Sequence, residues 1–269
     1  MGRVIAIAIP KGGVGKTTTA VNLSASLAVM DKKVLLIDTD PFGACAMSLG
    51  ISKDRIKSGL YEAFNFVYSI SQVIHHTEIP MLDLVPINVK SVQEEERMLR
   101  VSENRTLLKN LIRSVVPLYD YIIIDTPPVL RGLTTNALVC ADSVLIPIRA
   151  GNFSIEGIDK LFRYFEWIQN VANKPLLIEG ILQTMYEPHT RATEITEKEL
   201  QSKYQKYLLR TIIPKNTILA EASFYGKPAI LFNASSKSAL AYLELASELM
   251  EKHKSLEKVD SITLKQEIA

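Results

Sequence analysis

The chain has 269 residues, of which 47% are hydrophobic and 22% charged, and its formal net charge at pH 7 is +2. This composition is typical of a globular protein and excludes a disordered chain, and the length allows a large core without disulfides or metals. The nearly neutral charge does not by itself indicate a nucleic-acid binder. Two cysteines are too few for a zinc site, and no apolar run reaches the roughly 18 residues of a membrane span. We expect a soluble cytoplasmic protein without a membrane partner.

Short runs rich in β-branched residues alternate along the chain with longer amphipathic segments. The runs predict strands at residues 4–9, 33–38, 82–86, 121–125, 143–148, 176–182 and 208–213. The segments predict helices, of which the clearest lie at residues 17–30, 94–116, 155–170, 193–206 and 237–253. Most runs are continuously apolar, which is typical of parallel strands covered on both faces. We therefore expect an α/β fold, a mostly parallel twisted sheet covered by helices on both faces. One domain at residues 1–254 is expected to precede a short tail at 255–269.

A glycine-rich loop separates the first predicted strand from the first predicted helix. Glycines allow positive φ and bring backbone amides close to a ligand, and a helix N-terminus favours an anion, so this loop predicts a phosphate site. Lys16 is expected to reach the β- and γ-phosphates of ATP, and the Thr17 hydroxyl to bind Mg²⁺. The strict pattern Gly-x4-Gly-Lys-Ser/Thr fails at its first glycine, where Pro10 stands, and Lys11 adds a second lysine. The predicted nucleotide-binding loop comprises Lys11, Gly12, Gly13, Val14, Gly15, Lys16, Thr17 and Thr18.

Aspartates follow two of the predicted strands, at the edge where parallel sheets bind ligands. The strand at 33–38 ends in Asp38 and is followed by Asp40, and the strand at 121–125 ends in Asp125. The segment that ends in Asp125 resembles the Walker B element of P-loop NTPases, and the resemblance implies that Asp125 holds Mg²⁺ through water, because Mg²⁺ keeps much of its hydration shell. Asp38 is expected to cap or brace the phosphate loop.

These motifs resemble the deviant Walker A ATPases, a P-loop NTPase family that includes ParA, Soj and MinD, over nearly the whole chain. Residues 11–23 and 119–125 are similar to the ParA/Soj branch in particular. The resemblance implies a homodimer in the ATP state, in which Lys11 of each subunit reaches the nucleotide of the other. It also implies that Asp40 orients the attacking water.

On this resemblance the candidate catalytic residues are Lys11, Lys16 and Asp40, and the candidate magnesium ligands are Thr17, Asp40 and Asp125. The resemblance further implies that residues after two later strands line the adenine pocket, namely Thr184, Met185, Pro214 and Asn216. The cofactors are then ATP and Mg²⁺.

Two other branches of the family fit the residues poorly. Nitrogenase iron proteins hold an iron–sulfur cluster on cysteines, and residues 129–132, which follow the second aspartate motif, contain none. MinD-like proteins end in a basic amphipathic helix that binds lipid, whereas residues 255–267 carry three acids against two lysines. The ParA/Soj branch fits best.

ParA/Soj proteins partition chromosomes or plasmids, and the resemblance implies a cytoplasmic, nucleoid-associated ATPase. The ATP dimer is expected to bind double-stranded DNA non-specifically and to release it when a ParB-type partner stimulates hydrolysis. Such binding needs several cations on one surface. The candidates are Arg191, Lys198, Lys203, Lys206, Arg210, Lys215 and Lys227.

Two departures from the family pattern keep an alternative open. Relatives read Asp-Pro-Gln-Gly-Asn in the first aspartate motif, where this chain has Phe42 and Ala44. Arginines that relatives use on DNA fall at His189 and Ile218. The alternative is a nucleotide-gated, MinD-like switch that positions another protein and does not bind DNA.

Overall fold

The computed structural model of the protein describes residues 2–151 and 154–267. The strands are β1 (Arg3–Ile7), β2 (Val34–Asp38), β3 (His75–His76), β4 (Leu82–Val85), β5 (Tyr121–Asp125), β6 (Ser143–Arg149), β7 (Leu177–Tyr186) and β8 (Leu208–Pro214). They form one sheet in the order β3-β4-β2-β5-β1-β6-β7-β8. Every neighbouring pair is parallel except β3 and β4. The predicted α/β class and all seven predicted strands are confirmed.

Helices connect the strands. They are α1 (Lys16–Val29), α2 (Ala44–Ser48), α3 (Leu60–Phe64), α4 (Val92–Val101), α5 (Leu107–Ile112), α6 (Leu133–Cys140), α7 (Ser154–Val171), α8 (Arg191–Tyr204), α9 (Thr217–Phe224), α10 (Ala229–Phe232) and α11 (Lys237–Glu267). The single helix predicted at 94–116 is wrong, because α4 and α5 are separate. At the break, Ser102 donates to the carbonyl of Leu99, and the Asn104 side chain accepts from the amide of Thr106. Side-chain bonds of this kind compete with helix continuation.

The side chains of successive strand residues enter two different cores. In β1, Val4 and Ala6 pack on one face of the sheet, and Ile5 and Ile7 pack on the other. The first core is completed by residues of α3 to α8, and the second by residues of α1, α2 and α11. Both faces of the sheet are therefore covered, which explains why the strands read as continuous apolar runs.

The central position of β1 determines where the functional residues meet. Its neighbour β5 pairs Asp125 with Ile7 and, on its other side, pairs Asp125 with Asp38 of β2. Because these strands are parallel, the glycine-rich loop after β1 and the aspartates of β2 and β5 lie at one edge of the sheet. The sequence motifs are thus assembled by strand order alone.

The last helix is longer than the pattern predicted. α11 begins at Lys237, as expected, but continues to Glu267 through most of the predicted tail. Residues 268 and 269 lie outside the described residues, and the division into a domain and a tail stays a prediction. No helix in the described ranges has both the length and the apolar character needed to cross a bilayer.

Candidate active site

The loop after β1 has the backbone of a phosphate cradle. Gly13 and Gly15 have φ of 71° and 87°, values that residues with a Cβ rarely adopt. α1 begins at Lys16, and the residue that precedes it, Gly15, has no side chain that caps the helix. The first amides of this 14-residue helix are therefore directed at the loop, where they can bind an anion.

Lys16 is held inside this loop. Its side chain is buried, and its Nζ donates a hydrogen bond to the carbonyl oxygen of Lys11 at 3.0 Å. Burial lowers the pKa of Lys16, while the negative charges of Asp125 and Asp40 oppose that change. A phosphate would add the missing counter-charge. The main chain of Lys11 thus positions the ammonium of Lys16, and the Lys11 side chain is half-buried at the loop surface.

Asp125 and Thr17 form the part of the site that fits Mg²⁺. The Thr17 hydroxyl donates to Oδ2 of Asp125 at 2.6 Å, and Oδ1 of Asp125 is buried without a hydrogen-bond partner among the described residues. Burial raises the pKa of Asp125 to about 6, against the opposing effect of the Thr17 hydrogen bond. A buried carboxylate with a free oxygen next to a hydroxyl matches the oxygen ligands and water shell that Mg²⁺ prefers.

Asp38 braces the loop after β2, and the expected role at the phosphate loop is wrong. Its Oδ1 accepts from the amide of Asp40 at 3.0 Å, and its Oδ2 accepts from the amide of Cys45 at 3.1 Å. The two bonds close the turn that contains Asp40. Oδ1 of Asp40 accepts from the amide of Phe42 at 3.1 Å, so its carboxylate is oriented by the same turn.

A buried thiol adjoins the two aspartates, and no motif in the sequence predicted it. Sγ of Cys45 lies 3.5 Å from Oδ2 of Asp125, and ligand atoms of Asp38, Cys45 and Asp125 all lie within 4.8 Å of one another. Burial, together with the charges of both aspartates, raises the pKa of the Cys45 thiol. It therefore stays protonated and donates to the carboxylate. The spacing of five residues from Asp40 across a glycine turn was the only signal.

Two of the predicted adenine residues support the phosphate loop from behind. The Thr184 hydroxyl donates to the carbonyls of Val14 and Ile148, and side-chain atoms of Thr184 and Met185 would lie about 4.0 Å from a Cβ at Gly15.

The other two predicted adenine residues lie at and after the end of β8. Pro214 ends the strand, and the Asn216 side chain accepts from the amide of Ile218 at the start of α9. Contact of these four residues with adenine stays a prediction.

Comparison with known proteins agrees with this geometry. Residues 2–178 match the model of a family described as an AAA domain. The chain is 38% identical to the chromosome partitioning protein ParA of Myxococcus xanthus, over 94% of this chain and 89% of that protein. It is also 38% identical to the sporulation initiation inhibitor protein Soj of Bacillus subtilis, over 93% and 98%. The chain belongs to the ParA/MinD-type P-loop ATPases.

Solved structures of this ATPase type share the fold. A cobyrinic acid a,c-diamide synthase from Mycobacterium smegmatis, solved with an ATP analogue and magnesium, has a TM-score of 0.80 and 29% identity, covering 95% of this chain and 97% of that one. A plasmid partition protein from Borrelia burgdorferi bound to AMPPNP has a TM-score of 0.76 and 27% identity, covering 94% and 100%.

The predicted DNA-binding cations of this ParA/MinD-type chain are all exposed, but they are not equally available. Arg210 forms ion pairs with Glu248 and Glu251 at 3.6 and 3.2 Å, and Lys215 pairs with Glu187 at 3.0 Å. The others form no ion pair with a described side chain, that is, one of residues 2–151 and 156–256. These five are Arg191, Lys198, Lys203, Lys206 and Lys227.

Proposed function

We propose that this chain is a partition ATPase that dimerises with Mg-ATP, binds double-stranded DNA non-specifically in that state, and releases it on hydrolysis stimulated by a ParB-type partner. The observation that carries the proposal is that Lys16 and Asp125 lie at the same edge of the sheet, with Lys11 in the same loop as Lys16. Among the side chains that the structure describes, Lys16 is buried and forms no ion pair, and Oδ1 of Asp125 is buried without a hydrogen-bond partner. The relatives named as chromosome partitioning proteins support the same reading.

The residues divide the chemistry of hydrolysis between them. The loop amides and Lys16 bind the phosphates, and Thr17 and Asp125 hold Mg²⁺, which supplies positive charge against the phosphate oxygens when bound. Asp40 is half-exposed, and one of its oxygens is fixed by the amide of Phe42. The other oxygen is left to accept a proton of the attacking water and orient it toward the γ-phosphate.

Lys11 is the residue that couples hydrolysis to dimerisation. Its carbonyl is engaged by Lys16 of the same chain, so its backbone is fixed while its side chain lies at the surface of the loop. A cation delivered by a second subunit stabilises charge that develops on the transferred phosphoryl group. The γ-phosphate then favours the dimer because only ATP presents the charge that Lys11 of the partner binds.

The experiment that tests the proposal combines Asp40→Ala with a DNA titration. The variant is expected to hold the ATP dimer and to lower turnover by at least about a hundredfold, a usual size for losing a positioned general base. Fluorescence anisotropy of a random DNA duplex is measured with ATP, ADP and no nucleotide at two salt concentrations. Binding only with ATP, weakened by salt, supports the proposal. ATP turnover at the wild-type rate in Asp40→Ala would contradict the catalytic assignment of Asp40. The control is Asp54→Ala, at an exposed aspartate outside the site, which is expected to keep wild-type turnover.

A second function, the positioning of another protein without DNA, is favoured by two observations. Ion pairs already neutralise Arg210 and Lys215, which leaves fewer cations for phosphates. Phe42, in the turn that orients Asp40, is 71% exposed, and a large apolar side chain at that exposure suits a protein contact. ATP-dependent dimers that ignore DNA in the anisotropy assay would select this function over the first.

A further inference from the structure

A second cavity lies at the opposite edge of the sheet from the nucleotide loop. Its volume is about 470 Å³, within the range of small-molecule pockets, which is roughly 300–1,000 Å³. Four parts of the chain wall it: the start of β1, the turn before β2, the segment that leads into β5, and α11. The nucleotide loop follows the far end of β1, and five strand residues at about 3.3 Å each separate the two sites by roughly 15 Å.

The walls of this cavity concentrate positive charge. Arg3, Lys32, Lys33 and Lys254 line it, against one carboxylate, Asp120. With four cations and one anion the lining has a formal charge of +3, although the whole chain has only +2. Cations gathered at one recess of an otherwise balanced protein raise the local concentration of anions.

Among the side chains that the structure describes, those of residues 2–151 and 156–256, no ion pair involves any of these four cations. Asp120 does not neutralise them at ion-pair distance; its Oδ2 instead accepts from the backbone amide of Lys33 at 2.8 Å. The Lys33 ammonium lies 5.2 Å from the centre of the Tyr119 ring, so it is held at the wall by a cation–π contact rather than by an acid.

The histidine in this wall is committed elsewhere. His253 is buried, with Nε2 3.1 Å from Glu179 and Nδ1 3.1 Å from the hydroxyl of Tyr121. It fixes α11 against the sheet and so holds the backbone of the next residue, Lys254, at the cavity. The four unpaired cations are then the groups left to receive a ligand.

We propose that this cavity binds a small, multiply phosphorylated anion. Four cations around about 470 Å³ need several negative charges in a small volume, which phosphate groups supply at up to two charges each. Arg3 offers the forked donors that match phosphate oxygens, and the lysines add point charges. The adjoining wall of Pro117, Leu118 and Met250 is apolar and accepts a non-polar part of the same ligand.

The test separates this cavity from the nucleotide loop. Sodium tripolyphosphate is titrated by calorimetry, in buffer without magnesium, into the full chain and into Lys16→Ala, whose nucleotide loop has lost its phosphate lysine. Binding that persists in Lys16→Ala reports the cavity. In that background, joint replacement of Lys32, Lys33 and Lys254 by Gln is expected to weaken binding by about tenfold or more, since charge-assisted contacts to phosphate are lost.

The matched control replaces three exposed lysines outside every proposed site, Lys57, Lys109 and Lys174, by Gln in the same background, and is expected to change affinity by less than about twofold. Arg3→Gln alone is a second cavity variant, and melting temperatures verify that both variants fold. Three results would overturn the proposal: no tripolyphosphate binding to Lys16→Ala, equal weakening by the control, or binding only to phosphatidylglycerol vesicles. The last would assign the cations to a lipid headgroup instead of a free anion. Loss of DNA binding or hydrolysis in other variants leaves this titration unchanged.

Discussion

Replacement of Glu179 tests how the last helix is attached to the sheet. Glu179 lies in β7 and is buried; its carboxylate is 3.1 Å from Lys252 and 3.1 Å from His253, both in α11, and it accepts from the Ser143 hydroxyl. Burial alone raises the pKa of Glu179, but the hydrogen bond and charge of His253, the charge of Lys252 and the Ser143 hydrogen bond outweigh it and lower the pKa to about 2.

The lowered pKa of Glu179 converts into a contribution to stability. A fall from 4.5 to about 2 corresponds to about 3 kcal/mol at about 1.4 kcal/mol per pKa unit. Because the folded pKa is below the unfolded one, this contribution is complete above about pH 4.5 and is lost as the pH falls toward 2. For a chain of this size, about 3 kcal/mol corresponds to roughly 6–12 °C in melting temperature.

The assay is thermal unfolding of Glu179→Gln and of Glu199→Gln, an exposed glutamate of α8, at pH 7 and at steps below pH 4.5. At pH 7 the first variant is expected to melt roughly 6–12 °C below wild type and the second within about 2 °C of it. The gap between wild type and Glu179→Gln should narrow as the pH falls below 4.5. A small difference in melting temperature between wild type and Glu179→Gln at pH 7, or a difference that does not change with pH, would refute the reasoning.

Two further predictions concern the nucleotide site. Lys11→Ala is expected to remove the ATP-dependent dimer, measured by light scattering, and to lower ATP turnover by about a thousandfold or more. The control Lys57→Ala, at an exposed lysine, is expected to change neither quantity. A normal ATP dimer in Lys11→Ala would contradict the proposed role of Lys11 in the partner's site. Asp125→Asn is expected to raise the melting temperature of the nucleotide-free protein near pH 8 and to abolish stabilisation by Mg-ATP. Burial raises the pKa of Asp125 to about 6 in the folded state, so the folded protein tolerates the protonated carboxyl at low pH. As the pH rises to 6 the carboxyl ionises in the folded state at a cost in free energy of folding, and this cost is still present at pH 8. A lower melting temperature of this variant near pH 8 would show that the ionised carboxylate of Asp125 stabilises the nucleotide-free protein.

The sequence predicted the sheet because its strands are covered on both faces. A run such as residues 121–125 is apolar at every position before its aspartate. A parallel strand between two helical layers needs apolar side chains on both faces, and this run has them. Strand β3 escaped prediction for the opposite reason. It has two residues, His75 and His76, and depends on an antiparallel partner that no local pattern reveals.

Residue type and spacing were enough to propose the loop residues as a nucleotide site, whereas roles that depend on neighbouring residues could not be predicted. The lysines and threonine of the loop carry their chemistry in their type and spacing. The role of Asp38 depends on which amides lie near it, and the turn back to Cys45 brings them to its own loop instead of the phosphate loop. The orphaned oxygen of Asp125 and the thiol beside it are also products of three-dimensional packing.

The nucleotide site holds charged groups whose ionised forms are disfavoured by burial, and a bound nucleotide with its cation compensates for this. Burial raises the pKa values of Asp38 and Asp125, with the charge of Asp125 adding to the effect on Asp38 and the charge of Asp40 adding to the effect on Asp125. Burial lowers the pKa of Lys16. Each group is therefore less stable in its charged form than it would be in water. A bound phosphate chain with its cation supplies the opposite charge to both sides at once. The fold accepts a less stable edge of the sheet without ligand, and the free energy regained on binding is available to favour the proposed dimer.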